Sequence, residues 1–141
     1  LRTNQVPVER PWRLGEDPPP GWPALGRIEF LSATLRYRPE LPPAVNRLTL
    51  TVAAGERLGI VGRTGAGKSS LATMLLRLAE VDSGSVFIDG VNVALIGLHS
   101  LRRAIAVVPQ DPFLFAGTLG NNLDPTRCHT REALAAALKM A

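Results

Sequence analysis

Eight consecutive residues, Gly62 to Ser69, have the types and spacing of a loop that binds phosphate. They read Gly-Arg-Thr-Gly-Ala-Gly-Lys-Ser, which fits the pattern G-x-x-x-x-G-K-[ST]. Glycines let the backbone curve closely enough for its N–H groups to point at phosphate oxygens. The Lys68 ammonium is suited to the β- and γ-phosphates, and the Ser69 hydroxyl is suited to Mg²⁺. The pattern therefore predicts a binding site for a nucleoside triphosphate.

The segments on either side of this loop have the patterns that such a site requires. Residues 57–61 form a short, mostly apolar run, which predicts a buried strand. Residues 70–78 carry apolar side chains at helical spacing, and the predicted helix buries Leu71, Met74, Leu75 and Leu78. The positive end of its dipole adds to the attraction for phosphate. A strand, a glycine loop and a helix in this order predict the core of a P-loop NTPase.

Further strands and helices are predicted around this core, which makes the fold class α/β. Alternating apolar and polar residues favour strands at 27–31, 33–38 and 48–52, an antiparallel β layer ahead of the core. Short strands are predicted at 85–88 and 91–96, and an apolar parallel core strand at 105–108. Helical patterns cover 98–103, 118–123 and 131–141, with Thr130 as the N-cap of the last helix.

Asp89 follows an apolar run, Val86 to Ile88, and so resembles the carboxylate of a Walker B strand beside Mg²⁺. The run is short, however, and Gly90 comes directly after it, as in a hairpin turn. We interpret Asp89 as a turn residue.

Composition limits the remaining possibilities. The chain has 141 residues with 45% hydrophobic content, enough for one domain, and no apolar run approaches the roughly 18 residues of a membrane span.

Residues 1–26 hold six of the twelve prolines and are predicted to be an extended linker, pinned to a neighbouring surface by Trp12 and Trp22. A single cysteine, Cys128, excludes an internal disulfide and fits a reducing compartment. Both chain ends look cut, so we expect a piece of a longer protein.

The net charge of +4 does not indicate a nucleic-acid partner. Fourteen of the sixteen basic residues are arginines, and they are scattered along the chain. Aromatic residues make up 5%, too few for a platform that stacks bases beside basic side chains. We therefore predict no nucleic-acid binding.

Several segments in this order resemble the second nucleotide-binding domain of ATP-binding cassette (ABC) transporters of subfamily C, the multidrug-resistance-associated type. The resemblance runs from about Pro11 to the end. The proline-rich linker is similar to the segment that joins the last membrane helix to this domain in that family. The segments that carry it are residues 36–42, 59–70, 88–90, 97–102, 109–115, 117–119 and 122–125.

The resemblance implies a role for individual residues. Tyr37 matches the A-loop aromatic that stacks on adenine, and Gln110 matches the Q-loop glutamine, which reaches Mg²⁺ or the attacking water. Lys68 and Gln110 are then the catalytic residues in this chain, and Ser69 and Gln110 the Mg²⁺ ligands. His99 and His129 do not match the family's switch histidine and are interpreted as structural. The implied ATP contacts are Tyr37, Gly62, Arg63, Thr64, Gly65, Ala66, Gly67, Lys68, Ser69 and Ser70.

The resemblance also implies parts that this chain does not contain. The signature loop, the full Walker B strand and the switch histidine would lie beyond Ala141. Residues 27–141 are therefore expected to be a partial nucleotide-binding domain, truncated early in its helical subdomain, holding half of an ATP site and inactive alone in hydrolysis. One departure is Gly120, where the family usually carries a basic residue.

For the longer protein, the resemblance implies a transport ATPase integral to a membrane, with this domain on the cytoplasmic face. ATP hydrolysis would drive solute export. Expected partners are a second nucleotide-binding domain and the transmembrane domains of the same polypeptide. Two other functions remain open: a nucleotide-sensing regulatory subunit of a channel, and a soluble ABC ATPase acting on nucleic acid or ribosomes.

Overall fold

The computed structural model describes residues 17–111 and 113–141. It divides into two compact units, the first ending at Ala106 and the second spanning Val107–Ala141. Trp12, most of the predicted linker and Pro112 lie outside the described residues. None of the described helices is long and apolar enough to cross a membrane.

The first unit is built on a four-stranded antiparallel sheet in the order β2-β1-β3-β4. Ile28 at the start of β1 pairs with Val52 of β2 on one side and with Ile88 of β3 on the other. The predicted antiparallel layer is confirmed, but two of its four strands come from after the phosphate loop. The strands are β1 Ile28–Leu35, β2 Val45–Val52, β3 Ser83–Ile88 and β4 Val91–Asn92.

Strand β1 runs unbroken through a region that alternation predicts as two strands. Ser32 adopts a left-handed φ of 48°, and the pairing register shifts there on both sides of the strand. Such a bulge changes which side chains face the core. The alternation of apolar and polar residues is therefore interrupted at Ser32, and one strand is predicted as two. Across from the bulge, Gly84 has a φ of 77°, and a Cβ there would lie 2.3 Å from the Ser32 carbonyl oxygen. Only glycine fits that contact.

Helix α1, Lys68–Leu75, covers the sheet. Met74 is fully buried in a core that includes Phe30, Leu35 and Val86, and Leu71 and Leu75 pack against that core as predicted. The prediction for Leu78 is wrong, because this side chain is 64% exposed. The helix ends three residues earlier, and Arg77, with a φ of 48°, turns the chain away from the helical path.

Two arginines donate to backbone carbonyls, one at the C-terminal end of α1 and the other in residues 93–96. Arg102, on helix α2 (Leu98–Arg103), donates to the carbonyls of Leu76 and Arg77 at 3.2 and 3.1 Å. The Arg77 guanidinium donates to the carbonyls of Val93 and Ile96 at 3.0 and 2.8 Å. The Arg102 bonds satisfy carbonyls left over where α1 ends. Residues 93–95 form a 3₁₀ turn, so the strand predicted at 91–96 is present only as β4.

The strands predicted at 57–61 and 105–108 are absent from the described structure. Val61 and Val108 are each 94% exposed, whereas Ile105 is partly buried against the core. An apolar run becomes a strand only when a neighbouring strand satisfies its N–H and C=O groups. No described strand pairs with either segment.

Asp89 is a turn residue, as predicted, and its carboxylate anchors the chain that leads into β1. It lies between β3 and β4 with a φ of 48°. One oxygen accepts from the N–H groups of Ala24, Leu25 and Gly26 at 2.8 to 3.0 Å, and the other from that of Arg27 at 2.8 Å. These bonds lower the pKa of the carboxyl, those of Gly26 and Leu25 most strongly. A carboxylate committed in this way is not a Walker B ligand.

Trp22 reinforces the same attachment. Its indole N–H donates to the carbonyl of Ile88 at 2.8 Å, and its ring packs against the core. This contact confirms that Trp22 pins the end of the proline-rich segment to a neighbouring surface. We call residues 22–27 the strap.

Among its described residues, the second unit contains two helices, α3 Leu119–Leu123 and α4 Arg131–Met140. Thr130 caps α4 as predicted, and Thr118 caps α3 in the same way, by accepting from Asn121 N–H. Between the helices, the buried Asp124 accepts from His129 N–H at 2.7 Å and from the Thr126 hydroxyl at 3.0 Å. These bonds, His129 N–H foremost, lower the pKa of Asp124 to about 2.

Removing the Asp89 carboxylate is expected to release the strap. Asp89→Ala leaves four N–H groups without their acceptor, so we expect a lower Tm and a red-shifted Trp22 emission. The emission is measured in a Trp12→Phe background, where Trp22 is the sole tryptophan. The matched control is Asp82→Ala, because the Asp82 carboxylate makes an exposed ion pair with Arg36 at 3.5 Å. Equal effects of the two substitutions would contradict the anchor.

Asp124 is expected to make the second unit sensitive to acid. A folded-state pKa below the unfolded value means that its contribution to stability is complete above about pH 4 and is lost as the pH falls toward 2. Asp124→Asn should flatten the fall in unfolding free energy over that window. Denaturant titrations at several pH values measure it, with the exposed Asp111→Asn as control. Equal slopes for wild type and Asp124→Asn argue against the assignment.

Candidate phosphate-binding site

The loop from Gly62 to Gly67 joins the exposed segment 57–61 to α1. Gly65 and Gly67 adopt left-handed φ angles of 81° and 82°, which only glycine takes without strain. Gly67 also lies so close to the backbone before β2 that a Cβ there would be 2.4 Å from the Ala44 carbonyl oxygen. The glycine pattern therefore serves both the curvature of the loop and the seating of the helix that follows.

Lys68 folds back over this loop. Its ammonium Nζ donates to the carbonyls of Gly62 at 2.7 Å and Arg63 at 2.8 Å. An ammonium has three N–H donors, and the third has no partner among the described residues. The two hydrogen bonds from the Lys68 ammonium thus close the loop on itself.

The N-terminus of α1 is open to an anion. Gly67 is its N-cap, no side chain accepts from the first N–H groups, and the first turn contains no acidic residue. Within the described residues, no acceptor or negative charge therefore compensates the orphan N–H groups and the positive end of the helix dipole. Together with Lys68, they make the concave side of the loop suited to a phosphate group.

The two serines after Lys68 have different surroundings. Ser69 is exposed. Ser70 is buried, with 5% exposure, and its Oγ lies 3.0 Å from the Tyr37 hydroxyl oxygen. The resemblance implies a phosphate contact for Ser70, and the structure shows that its hydroxyl is already hydrogen-bonded to Tyr37.

Tyr37 lies two residues beyond β1 and is 54% exposed, so it is not a core tyrosine. The loop that carries it is closed by local bonds. The Arg36 guanidinium donates to the Leu41 carbonyl at 2.8 Å, and the Leu41 N–H donates to the Arg38 carbonyl at 3.1 Å. The tyrosine ring is therefore presented to solvent beside the first turn of α1.

The structure brings together the predicted residues of the first unit. Arg63, Thr64 and Ala66 are exposed along the loop, and Lys68 connects both ends of it. Gln110 belongs to the second unit, where it is exposed, and its role stays a prediction.

The two histidines differ in their surroundings, and the structural role predicted for His99 stays a prediction. His99 is exposed on α2, and His129 contacts Asp124 through its N–H and through a ring nitrogen at 3.4 Å. The anchoring role of Asp89 was not predicted. Its signal is tertiary, since the partners are more than sixty residues away in sequence.

Comparison with known proteins identifies the family. The ABC transporter family profile matches residues 45–141. Human ATP-binding cassette sub-family C member 2 is 44% identical over 152 residues, covering 100% of this chain and 10% of that protein. Human sub-family C member 3 is 48% identical over 139 residues, covering 98% and 9%. The ABC-type transporter cicA of Emericella nidulans is 47% identical, covering 98% and 10%.

A solved structure has the same fold. A bacterial Atm1-family ABC exporter with ATP bound superposes with a TM-score of 0.76 at 36% identity, over 82% of this chain and 20% of that one. The predicted α/β fold of an ABC ATPase is thereby confirmed. The chain spans about a tenth of the length of the curated relatives it matches. With its glycine loop, antiparallel sheet and sub-family C relatives, the chain belongs to the ABC transporter family.

Proposed function

We propose that residues 27–141 are the N-terminal part of an ABC nucleotide-binding domain, which binds ATP with Mg²⁺. In the complete protein, ATP hydrolysis would drive export of a solute across a membrane. The observation that carries this proposal is the uncapped N-terminus of α1 behind a glycine loop closed by Lys68. Among the comparisons, the similarity to members of ABC sub-family C supports the proposal most strongly.

ATP would bind along a line that starts at Tyr37 and ends at the loop. The exposed tyrosine ring offers a stacking surface for adenine, a contact of about 1–3 kcal/mol per base. The triphosphate would occupy the concave side of the loop, where backbone N–H groups and the helix dipole stabilise negative charge. The Lys68 ammonium is adjacent, and one of its N–H groups has no partner in the part of the chain that the structure describes.

The residues present fit Mg²⁺. No group of three or more His, Cys, Asp or Glu side chains gathers anywhere in the described ranges, so a site built wholly from protein ligands is absent there. Mg²⁺ commonly takes few protein oxygens and completes its shell with phosphate and water. The exposed Ser69 hydroxyl would supply one oxygen. A second oxygen, from the Gln110 amide, is what the family resemblance implies. Bound there, the ion would neutralise charge on the phosphates.

In hydrolysis, this chain would contribute positioning and charge stabilisation. Lys68 would hold the γ-phosphoryl group and meet the charge that develops on its oxygens. Gln110 would orient the attacking water through its amide. A second nucleotide-binding domain would cover the other side of ATP and complete the site.

The second unit offers a surface for the transmembrane partner. Phe113, Leu114 and Phe115, directly after the Gln110 region, are 75%, 78% and 62% exposed. The two phenylalanine rings contact each other edge to face with centroids 5.1 Å apart. An apolar cluster left in solvent indicates a contact with another protein surface. In the complete protein, it would contact the transmembrane domains from the cytoplasmic side and pass on closure of the ATP site.

Removing the Lys68 ammonium is expected to abolish hydrolysis at this site. In the full-length protein, with the partner ATP site disabled, Lys68→Ala should lower the ATPase rate by about 10²- to 10³-fold. The matched control is Lys139→Ala, because Lys139 lies on α4 in the second unit and should leave the rate unchanged. An unaltered rate in Lys68→Ala would overturn the proposed function.

The ring at position 37 is expected to set part of the affinity for ATP. Tyr37→Ala should weaken ATP binding by about 5- to 150-fold, the equivalent of one stacked base, whereas Tyr37→Trp should largely preserve it. Isothermal titration with Mg-ATP measures both. Equal affinities for wild type, Tyr37→Ala and Tyr37→Trp would show that the ring is not a base platform.

A further inference from the structure

The Arg36 side chain joins the loop that carries Tyr37 to the segment that enters β3. One guanidinium nitrogen, Nη1, donates to the Leu41 carbonyl at 2.8 Å, across the loop of residues 36–44. A second nitrogen, Nε, lies 3.5 Å from the Asp82 carboxylate. The donors of a guanidinium form a fixed planar fork, so one side chain makes both contacts at once. Arg36 therefore bridges this loop and a point outside it.

Asp82, the outer end of this bridge, is fastened to the sheet. Its backbone N–H donates to the carbonyl of the buried Thr34 at 2.8 Å, and Thr34 pairs with Ser83 at the start of β3. The side chains of Arg36 and Asp82 are 36% and 43% exposed, so their ion pair adds little to overall stability. It serves as a brace, which keeps the guanidinium aimed at the loop.

Tyr37 lies in the part of the loop that Arg36 holds. Backbone hydrogen bonds close the base of the loop, between Ala44 and Leu35, and its tip, over residues 38–41. Between base and tip, the backbone groups of Arg36 and Tyr37 make no hydrogen bond to any described residue. The bond from the Arg36 guanidinium is therefore the contact that fixes the backbone beside the tyrosine.

We propose that Arg36 is a positioning residue, whose guanidinium holds the Tyr37 backbone where the ring stacks on the base of a nucleotide. This inference rests on the proposed function and deepens it, because it identifies the part of the ligand that Arg36 serves. The bridge acts on the base, whereas the phosphate loop is closed separately by Lys68. Arg36 would therefore favour a nucleoside triphosphate over bare triphosphate.

The test measures affinity for two ligands, Mg-ATP and inorganic tripolyphosphate with Mg²⁺, in the full-length protein with the partner ATP site disabled. Arg36→Ala should weaken Mg-ATP binding by about three- to tenfold, a part of the loss expected when the whole stacked ring is removed. Its affinity for tripolyphosphate should not change. Asp82→Ala removes only the brace, so it should weaken Mg-ATP binding less than Arg36→Ala, by at most about fivefold.

Two matched variants separate the bridge from the charge that it carries. Arg38→Ala removes the same charge from the same loop and should leave both affinities unchanged, because the exposed Arg38 side chain makes no hydrogen bond or ion pair within the described ranges. Arg36→Lys keeps the charge but not the planar fork, and it should weaken Mg-ATP binding as Arg36→Ala does. Arg36→Lys also provides the measurement where Arg36→Ala fails to fold.

A Tyr37→Ala background distinguishes positioning from a direct contact between Arg36 and ATP. In this background, Arg36→Ala should cause no further loss of Mg-ATP affinity, because no ring is left to position. A further loss there would identify a direct contact and overturn the inference.

Four other results would also overturn it: a matching loss of tripolyphosphate affinity in Arg36→Ala, equal effects of Arg36→Ala and Arg38→Ala, or unchanged Mg-ATP affinity in Arg36→Ala or in Arg36→Lys. The proposed function fails in a different way, when the wild-type protein binds neither ligand and Lys68→Ala makes no difference.

Discussion

The close approach of Gly67 to the Ala44 backbone is the constraint on which the site depends. At this position a Cβ would lie 2.4 Å from a carbonyl oxygen, and the φ of 82° is itself unfavourable for other residues. The contact places the first turn of α1 directly against the chain that enters β2. Tyr37 is carried by the loop between β1 and β2, so its ring and the phosphate loop become neighbours. A larger residue at position 67 would move both groups at once.

A second constraint fixes where the sheet begins. Asp89 could have been a metal ligand by its place after an apolar run, yet its two oxygens accept four backbone N–H groups of the strap. Charge-assisted bonds of this kind are among the stronger ones in proteins. They hold Arg27 beside Asp89, next to the pairing of Ile28 with Ile88. The same carboxylate is therefore already occupied by backbone N–H groups, and it fixes where β1 begins against β3.

The sequence predicts features whose signals are local. The phosphate loop, the cap at Thr130 and the turn at Asp89 depend on residue types at fixed short spacings, and all are present. Features that depend on distant neighbours were predicted less well. Residues 57–61 and 105–108 have the apolar composition of core strands, but strand formation needs a hydrogen-bonded neighbour that no described segment supplies.

The same reasoning explains the remaining errors and the part of the site that could not be predicted. Leu78 matches the helical period, but the period does not show that Arg77 leaves the helix. The bulge at Ser32 has no compositional signal, because serine is neither required nor unusual there. The Tyr37–Ser70 bond joins two segments that lie 33 residues apart in sequence, and only the folded chain brings them together. Sequence spacing alone could assign each residue a role, but it could not connect them.

The position of Lys68 bears on how the loop changes from its free to its occupied state. Its ammonium now donates to two neutral carbonyls, at 2.7 and 2.8 Å. Each of these bonds has one charged partner, whereas a bond from the ammonium to an anionic phosphate oxygen adds direct attraction between opposite charges, so a phosphate oxygen competes well for the same donors. Under the proposed function, the exchange would need no large displacement, because the ammonium already lies over the loop. A loop that Lys68 already closes on itself would then lose less conformational entropy on binding.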